Sequence, residues 1–170
     1  MKRAKYQEKI SEIPASKRIY IDECGVSRRG YRKYARALRG KRVFGIIPGK
    51  RQKRINVVAG LRDGEIIADY CYHGSMNSSR FEDWFCKYLL PATRKGDTII
   101  MDNASYHNKK RLTTYARIHG VTIIFLPPYS PDYNLIEKVW ANLKRFLRNY
   151  SGRFQATEIG IYWYFCVAYS

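Results

Sequence analysis

Three acidic residues stand where a folded chain could bring their carboxylates together. Asp22 and Asp102 each end an apolar run, RIYID and TIIMD, as a buried strand does when it delivers a side chain to a sheet edge. Glu137 lies in the first turn of a predicted helix. Carboxylate oxygens are hard ligands that favour Mg²⁺ or Mn²⁺, and two such ions about 3.5–4 Å apart can promote in-line attack on phosphorus. These residues therefore predict a metal-dependent site for phosphoryl transfer.

The helix that carries Glu137 is preceded by a stiff, proline-rich segment, LPPYSP, at residues 126–131. We expect Asn134 to cap this helix. Apolar residues then recur every three to four positions, at Ile136, Val139, Leu143, Phe146 or Leu147, and Tyr150. A second face carries Glu137, Ala141, Lys144 and Arg148. Taken alone, Glu137 is explained most simply as a solvated acid favoured by the helix dipole. Together with Asp22 and Asp102 at strand ends, it is better explained as part of a shared site.

The sequence around the second and third acids is similar to a known family. Asp102 and Glu137 are separated by 34 residues, with DNASYH around the former and PPYSPDYNLIEKVW around the latter. Residues 18–154 thereby resemble the DDE transposases, more narrowly the bacterial insertion-sequence family related to mariner elements. The family pattern of two apolar residues followed by Asp and Glu implies that Asp22, and not Glu23, is the first acid. The resemblance implies that Asp22 bridges two Mg²⁺ ions, which Mn²⁺ can replace, and that the other two acids hold one each.

The same resemblance implies two reactions at one site. Hydrolysis first frees a DNA end, and the resulting 3′-hydroxyl then attacks target DNA. One departure is visible, because the family often has Asn-Pro-Ile-Glu where this chain has NLIE. A missing proline at the first helical turn removes some preorganisation but no ligand. His107, in DNASYH, is either a fourth ligand or phosphate contact, or a brace for the loop after the strand, and we favour the brace.

The chain is strongly basic, with a formal net charge of +18. Such a charge predicts a polyanionic partner, and nucleic acid fits better than a membrane surface. Residues 28–54 contain twelve Lys or Arg in 27 positions and no acid, with Tyr31 and Tyr34 between them. This segment is either a solvated loop or, as we expect, a DNA contact. The expected DNA-binding residues are Arg28, Arg29, Arg32, Lys33, Lys50, Arg51, Lys53, Arg54, Lys144 and Arg148.

Other features bound the class of protein. No apolar span is long enough for a membrane helix, and the start MKRAKYQEK lacks the apolar core of a signal peptide. We therefore expect a cytoplasmic, nucleoid-associated bacterial protein. The four cysteines have no C-x-x-C spacing, which favours buried free thiols over a disulfide or zinc site; they are Cys24, Cys71, Cys86 and Cys166.

The pattern of turns and periodicities predicts one α/β domain, 18–170, behind an arm, 1–17, that is a short helix or loose. We expect a strand at 18–25, a short strand near 43–47, and a hairpin of 54–61 and 65–72 around an Asp-Gly turn. A helix at 78–90, capped by Ser78 and Ser79, comes next. It is followed by a strand at 97–102, a helix at 108–119 and a strand at 121–125. The Glu137 helix and an apolar helix at 154–169, packed on the sheet, end the chain. This order is that of the ribonuclease H-like fold, a mixed five-stranded sheet flanked by helices. The resemblance implies that its first and fourth strands are parallel neighbours, with the Glu137 helix crossing above them.

Three functional interpretations remain. The favoured one is a transposase catalytic domain acting on double-stranded DNA, as both transposon ends and target, and working as a homodimer. A catalytically inactive DNA-binding remnant or regulator of transposition is the alternative, and a structure-specific nuclease of the same fold is the third. About 17 residues precede the first strand, too few for a helix-turn-helix module. We therefore expect such a module on a separate product, or missing from a truncated copy.

Overall fold

A computed structural model describes residues 2–27, 38–42, 54–128, 130–150 and 153–169. The strand expected near 43–47 lies outside these ranges. The chain begins with helix α1 (Lys2–Ser11) and a short 3-10 turn (Ala15–Lys17), so the arm takes the helical form of the two that were expected. Tyr6 of α1 is buried, and its ring stacks on Tyr133 with the ring centres 5.1 Å apart. The arm therefore packs against the rest of the chain.

The centre of the fold is a mixed five-stranded sheet. Its strands are β1 (Arg18–Val26), β2 (Ile55–Arg62), β3 (Glu65–His73), β4 (Thr98–Met101) and β5 (Thr122–Phe125), in the order β3-β2-β1-β4-β5. β2 pairs antiparallel with both β1 and β3, whereas β4 pairs parallel with both β1 and β5. The expected parallel pairing of the first and fourth strands is thus confirmed. Asp63 and Gly64 both have positive φ, as the tight turn between β2 and β3 requires.

Helices cover both faces of this sheet. α2 (Ser78–Trp84) runs into a π-helical turn (Phe85–Leu89) and a last turn, α3 (Leu90–Ala92), and α4 spans Lys109–Ile118. α5 (Ile136–Tyr150) and α6 (Thr157–Ala168) complete the fold. The cap predicted at Ser78 and Ser79 is wrong: the side chain of Asn77 accepts the Arg80 N–H at 2.9 Å. Leu89 is buried whereas Tyr88 is 47% exposed, because the wider π turn shifts the phase of the helix.

Alternation along β1 divides the core into two layers. Tyr20 and Cys24 belong to the layer formed with α5 and α6, whereas Ile19 and Ile21 belong to the layer formed with α2 and α4. Successive side chains of a strand point to opposite faces. Asp22 therefore points towards α5, and Glu23 points towards the other face.

The last helix departs from its prediction in part. α6 packs on α5, where a Cβ on Gly160 would come within 2.8 Å of Leu147, and it meets the sheet where Tyr162 hydrogen-bonds Cys71 of β3. α6 still leaves apolar side chains about half exposed or more, at Ile159, Trp163 and Val167. All four cysteines are free, as expected, but only Cys24 is buried and Cys166 is exposed. Within the described ranges, no helix combines the length and apolarity that crossing a membrane demands.

Candidate active site

The three predicted acids line one cavity of about 340 Å³. Asp22 comes from β1, Asp102 directly follows β4, and Glu137 lies in the first turn of α5. Because β1 and β4 are parallel neighbours, their carboxyl ends reach the same edge of the sheet. Asn103, Asn134 and three prolines are among the other residues that line it. The fold thus brings side chains from three separate elements around one opening.

Asp22 is the most perturbed of the three acids. Burial, together with the negative charges of Glu137 and Asp102, raises the pKa of its carboxyl to about 7. The indole N–H of Trp140 donates to Oδ2 of Asp22 at 3.2 Å, which partly offsets these effects on the pKa. Because the neighbouring carboxylates contribute to this raised pKa beside burial, the protein does not fully compensate the negative charge of the cluster. Bound cations would supply that compensation.

Asp102 is held on one side only. Its Oδ1 accepts the backbone N–H of Ala104 at 3.1 Å and lies 3.3 Å from Nδ1 of His107. The same Nδ1 lies 3.4 Å from the main-chain oxygen of Asp102. Because Nδ1 faces two acceptors, it carries the proton and donates. Burial lowers the pKa of His107, which favours the neutral ring, and this geometry agrees with a brace for the loop.

The segment before α5 is attached to β1 by Asn134. Its side chain was expected to cap the helix, but it is buried, and its Nδ2 donates to the main-chain oxygen of Ile21 at 3.1 Å. The main-chain oxygen of Asn134 accepts the Glu137 N–H at 3.1 Å instead. The prediction is therefore corrected: Asn134 fixes the start of α5 next to the residue that precedes Asp22.

The helical pattern places Trp140 between the apolar and the basic faces of α5 and predicts a core residue. The residue is buried as expected, and its contact with Asp22 is a second role that the pattern did not indicate. One signal was available, since a buried indole N–H usually finds an acceptor, and Trp140 lies three residues after Glu137 on the same helix.

The donor set fits a hard divalent cation in its chemistry, because it consists of carboxylates around one cavity. The present side-chain positions do not form a finished coordination sphere. In the described part of the chain, no three His, Cys, Asp or Glu side chains stand close enough to hold a metal ion. Mutual repulsion of uncompensated carboxylates keeps such side chains apart. Metal binding at this cavity would therefore have to draw the three acids together.

The exposed face of α5 carries cations beyond Glu137, as the helical spacing predicted. Lys144 and Arg148 line a second cavity of about 370 Å³, together with the end of β1 and the apolar ring of Phe154. Lys144 also hydrogen-bonds the thiol of Cys24, two residues after Asp22. The cationic face therefore begins close to the acids.

Of the DNA-binding residues expected in the segment 28–54, Arg54 is the one that lies within the described ranges. Its side chain is exposed, donates to Oδ1 of Asn56 at 3.0 Å, and lies over Gly25, where an added Cβ would come within 1.8 Å of the guanidinium. The remaining expected contacts of the segment lie outside the described residues, as do Tyr31 and Tyr34; these contacts are Arg28, Arg29, Arg32, Lys33, Lys50, Arg51 and Lys53.

Known proteins share this fold and its sequence pattern. A family model described as DDE superfamily endonuclease matches residues 17–158, and no curated protein sequence matches. The Mos1 transposase paired-end complex with left transposon end is 15% identical, with a TM-score of 0.69, over 97% of this chain and 50% of that one. The mariner Mos1 paired-end complex with Mg is 14% identical, with a TM-score of 0.64, over 99% of this chain and 58% of that one.

A third similar structure is the catalytic core domain of BIV integrase, at 14% identity and a TM-score of 0.51, covering 86% of this chain and 79% of that one. The chain spans about half the length of the Mos1 structures. Identities this low establish a shared fold, which confirms the expected ribonuclease H-like architecture.

Proposed function

Because the chain belongs to the DDE superfamily endonucleases, we propose that it is a transposase catalytic domain, which cleaves and joins DNA strands at Asp22, Asp102 and Glu137. One observation carries the proposal: three acids from separate elements line one cavity, and two of them raise the pKa of the third. The motifs DNASYH and PPYSPDYNLIEKVW support the narrower assignment to bacterial insertion sequences related to mariner elements. Such a protein would work on DNA in the bacterial cytoplasm and nucleoid.

We assign the three acids as ligands for two Mg²⁺ ions, with Mn²⁺ as a substitute. These ions would supply Lewis acidity at the phosphate and lower the pKa of the attacking hydroxyl. Trp140 holds one oxygen of Asp22, and Asn134 fixes the start of the helix that carries Glu137. The protein thus contributes the position of each carboxylate.

The proposed activity comprises two reactions, hydrolysis at the element end and strand transfer to target DNA. In the first, a water oxygen attacks the phosphorus at the element end, the bond from phosphorus to the 3′-oxygen breaks, and that oxygen leaves as a 3′-hydroxyl. In the second, this hydroxyl attacks a phosphodiester of target DNA, and the target's own 3′-oxygen leaves with the proton. Each reaction exchanges one phosphodiester oxygen for another and requires no oxidant and no nucleotide cofactor.

The path of the DNA is proposed from the cations on α5. Lys144 and Arg148 lie seven and eleven residues after Glu137, or about 10 and 16 Å along a helix that rises 1.5 Å per residue. A strand leaving the acids along this face would meet both cations, while the wall formed by Phe154 faces sugars or bases. The segment 28–54, including Arg54, would contact further phosphates.

Phosphate contacts position a protein on DNA without reading its sequence. We therefore propose that a separate helix-turn-helix segment recognises the element ends, and that two copies of the catalytic domain act together. The similar Mos1 structures are described as paired-end complexes, which supports this arrangement by analogy.

The test is Mg²⁺-dependent nicking and joining of labelled duplex DNA by the purified chain. We expect Asp102→Asn to abolish cleavage while DNA affinity stays equal or rises, since the change removes a charge that holds metal and repels phosphate. Cleavage retained by this variant would show that the acid is wrongly assigned.

The alternative, an inactive DNA-binding remnant, is favoured by one observation, the lack of a finished coordination sphere among the described residues. It predicts tight DNA binding by the wild-type chain with no cleavage at any concentration of Mg²⁺ or Mn²⁺.

A further inference from the structure

Glu23 lies beside Asp22 on β1 but points to the opposite face of the sheet. Its carboxylate accepts two phenolic hydrogen bonds, from Tyr72 of β3 to Oε2 and from Tyr106 of the loop after β4 to Oε1. Burial and the adjacent carboxylate raise the pKa of both phenols, so both remain donors at neutral pH. Glu23 therefore connects the strand of the first acid to the loop of the second.

The loop continues this connection towards Asp102. The rings of Tyr106 and His107 meet edge to face, with their centres 4.5 Å apart. His107 also packs against Phe81 of α2, with the ring centres 4.3 Å apart, and the rings of Phe81 and Tyr106 meet each other at 5.9 Å. His107 is 8% exposed. Its ring is thus held in a cluster with two aromatic neighbours, which fixes the direction of its Nδ1–H.

That direction determines how Asp102 is presented. Oδ1 accepts the Ala104 N–H and faces the His107 donor. Among the described residues, Oδ2 of Asp102 accepts no hydrogen bond. With one oxygen engaged and the other free, the carboxylate keeps its free lone pairs available to the cavity that it shares with Asp22.

We propose that Glu23, Tyr106 and His107 are positioning residues, which fix the 102–107 loop on β1 and hold Asp102 with one oxygen free for metal. The inference rests on the proposed function, since it takes Asp102 as a metal ligand. Hydrogen-bonded partners of ligating residues orient those ligands, and losing one typically costs 10–100-fold in metal affinity. The network also accounts for an acid next to Asp22 that points away from the cavity.

The chain offers a matched pair of variants for the test. Tyr106→Phe and Tyr72→Phe each remove one phenolic donor from the same Glu23 carboxylate, but only Tyr106 belongs to the loop that carries Asp102. We expect Tyr106→Phe to weaken Mn²⁺ binding, measured by titration calorimetry without DNA, by about tenfold or more. Tyr72→Phe should stay within about twofold of wild type. Melting temperatures of the metal-free variants should fall by similar amounts.

His107 provides a second, independent comparison. His107→Asn keeps an N–H close to the position of Nδ1, whereas His107→Phe keeps the ring that packs on Phe81. We expect Asn to retain most of the Mn²⁺ affinity and Phe to lose it. A purely structural role predicts the reverse order, because packing then matters more than the donor.

Equal Mn²⁺ affinity of wild type, Tyr106→Phe and Tyr72→Phe would overturn the inference, as would the reversed order at His107. If wild type binds Mn²⁺ and cleaves DNA in either case, the proposed function stands and only the network fails. If wild type neither binds Mn²⁺ nor cleaves, the proposed function fails and the inference fails with it.

Discussion

The pKa of Asp22 predicts that the metal-free protein becomes less stable as the pH rises. Burial, Glu137 and Asp102 raise this pKa from 3.8 to about 7 in the folded state. The folded protein therefore binds a proton more tightly than the unfolded chain. The stabilisation is fully present below about pH 4 and is lost as the pH rises through about 7. Asp22→Asn, which is neutral at every pH, should remove this dependence.

The magnitude follows from the shift. About three pKa units at 1.36 kcal/mol each give an upper limit of about 4 kcal/mol. Asp22 is only partly buried, so water screens part of the effect. We expect Asp22→Asn to be more stable than wild type by about 2 kcal/mol at pH 8 in EDTA, and equal to it near pH 4.

Urea denaturation at pH 4, 5, 6, 7 and 8 measures this difference. Adding Mg²⁺ or Mn²⁺ should stabilise wild type, because a ligand that binds only the folded state shifts the equilibrium, and should have little effect on Asp22→Asn. Asp69→Asn is the matched control: burial also raises the pKa of Asp69, yet this residue of β3 does not line the cavity. This control should keep the response to metal.

Parallel pH curves for wild type and Asp22→Asn would refute the reasoning, since they would mean that the Asp22 carboxyl is not perturbed. A metal response that survives in Asp22→Asn at full size would instead remove this residue from the proposed ligands.

Two further predictions concern DNA binding. Replacing Lys144 and Arg148 together by Gln should reduce the slope of log affinity against log salt by up to about 1.8, or about 0.9 per lost phosphate contact. Arg145→Gln on the same helix is the control and should leave the slope unchanged, because the Arg145 guanidinium donates to a neighbouring side chain and does not line the cavity. Gly25→Ala should displace the Arg54 guanidinium and weaken DNA binding as much as Arg54→Ala does. Fluorescence anisotropy measures the DNA affinity in both predictions. Normal affinity of Gly25→Ala would show that Arg54 does not contact DNA from this position.

Local sequence determined most of the elements. Apolar runs, a two-residue turn and helical spacing are properties of neighbouring residues, and the corresponding strands and helices lie within a few positions of their predicted bounds. The exposed face of α5, with Glu137 and the cations beyond it, was also predicted correctly because a helix repeats at a known angle. Errors arose where local rules compete. The buried face of the helix after Asn77 changes phase at a π turn, which the hydrophobic spacing alone did not predict.

The tertiary structure decided which partner each polar side chain meets. Asn134 donates to Ile21 across 113 positions, and Trp140 donates to Asp22 across 118. Sequence patterns report burial and periodicity, whereas these contacts depend on how β1, the loop after β4 and α5 pack together. The sequence by itself therefore identified the acids and the elements that carry them. Only packing determined how the acids are held, because a hydrogen bond between distant residues depends on the final distance of two atoms, which no local pattern contains.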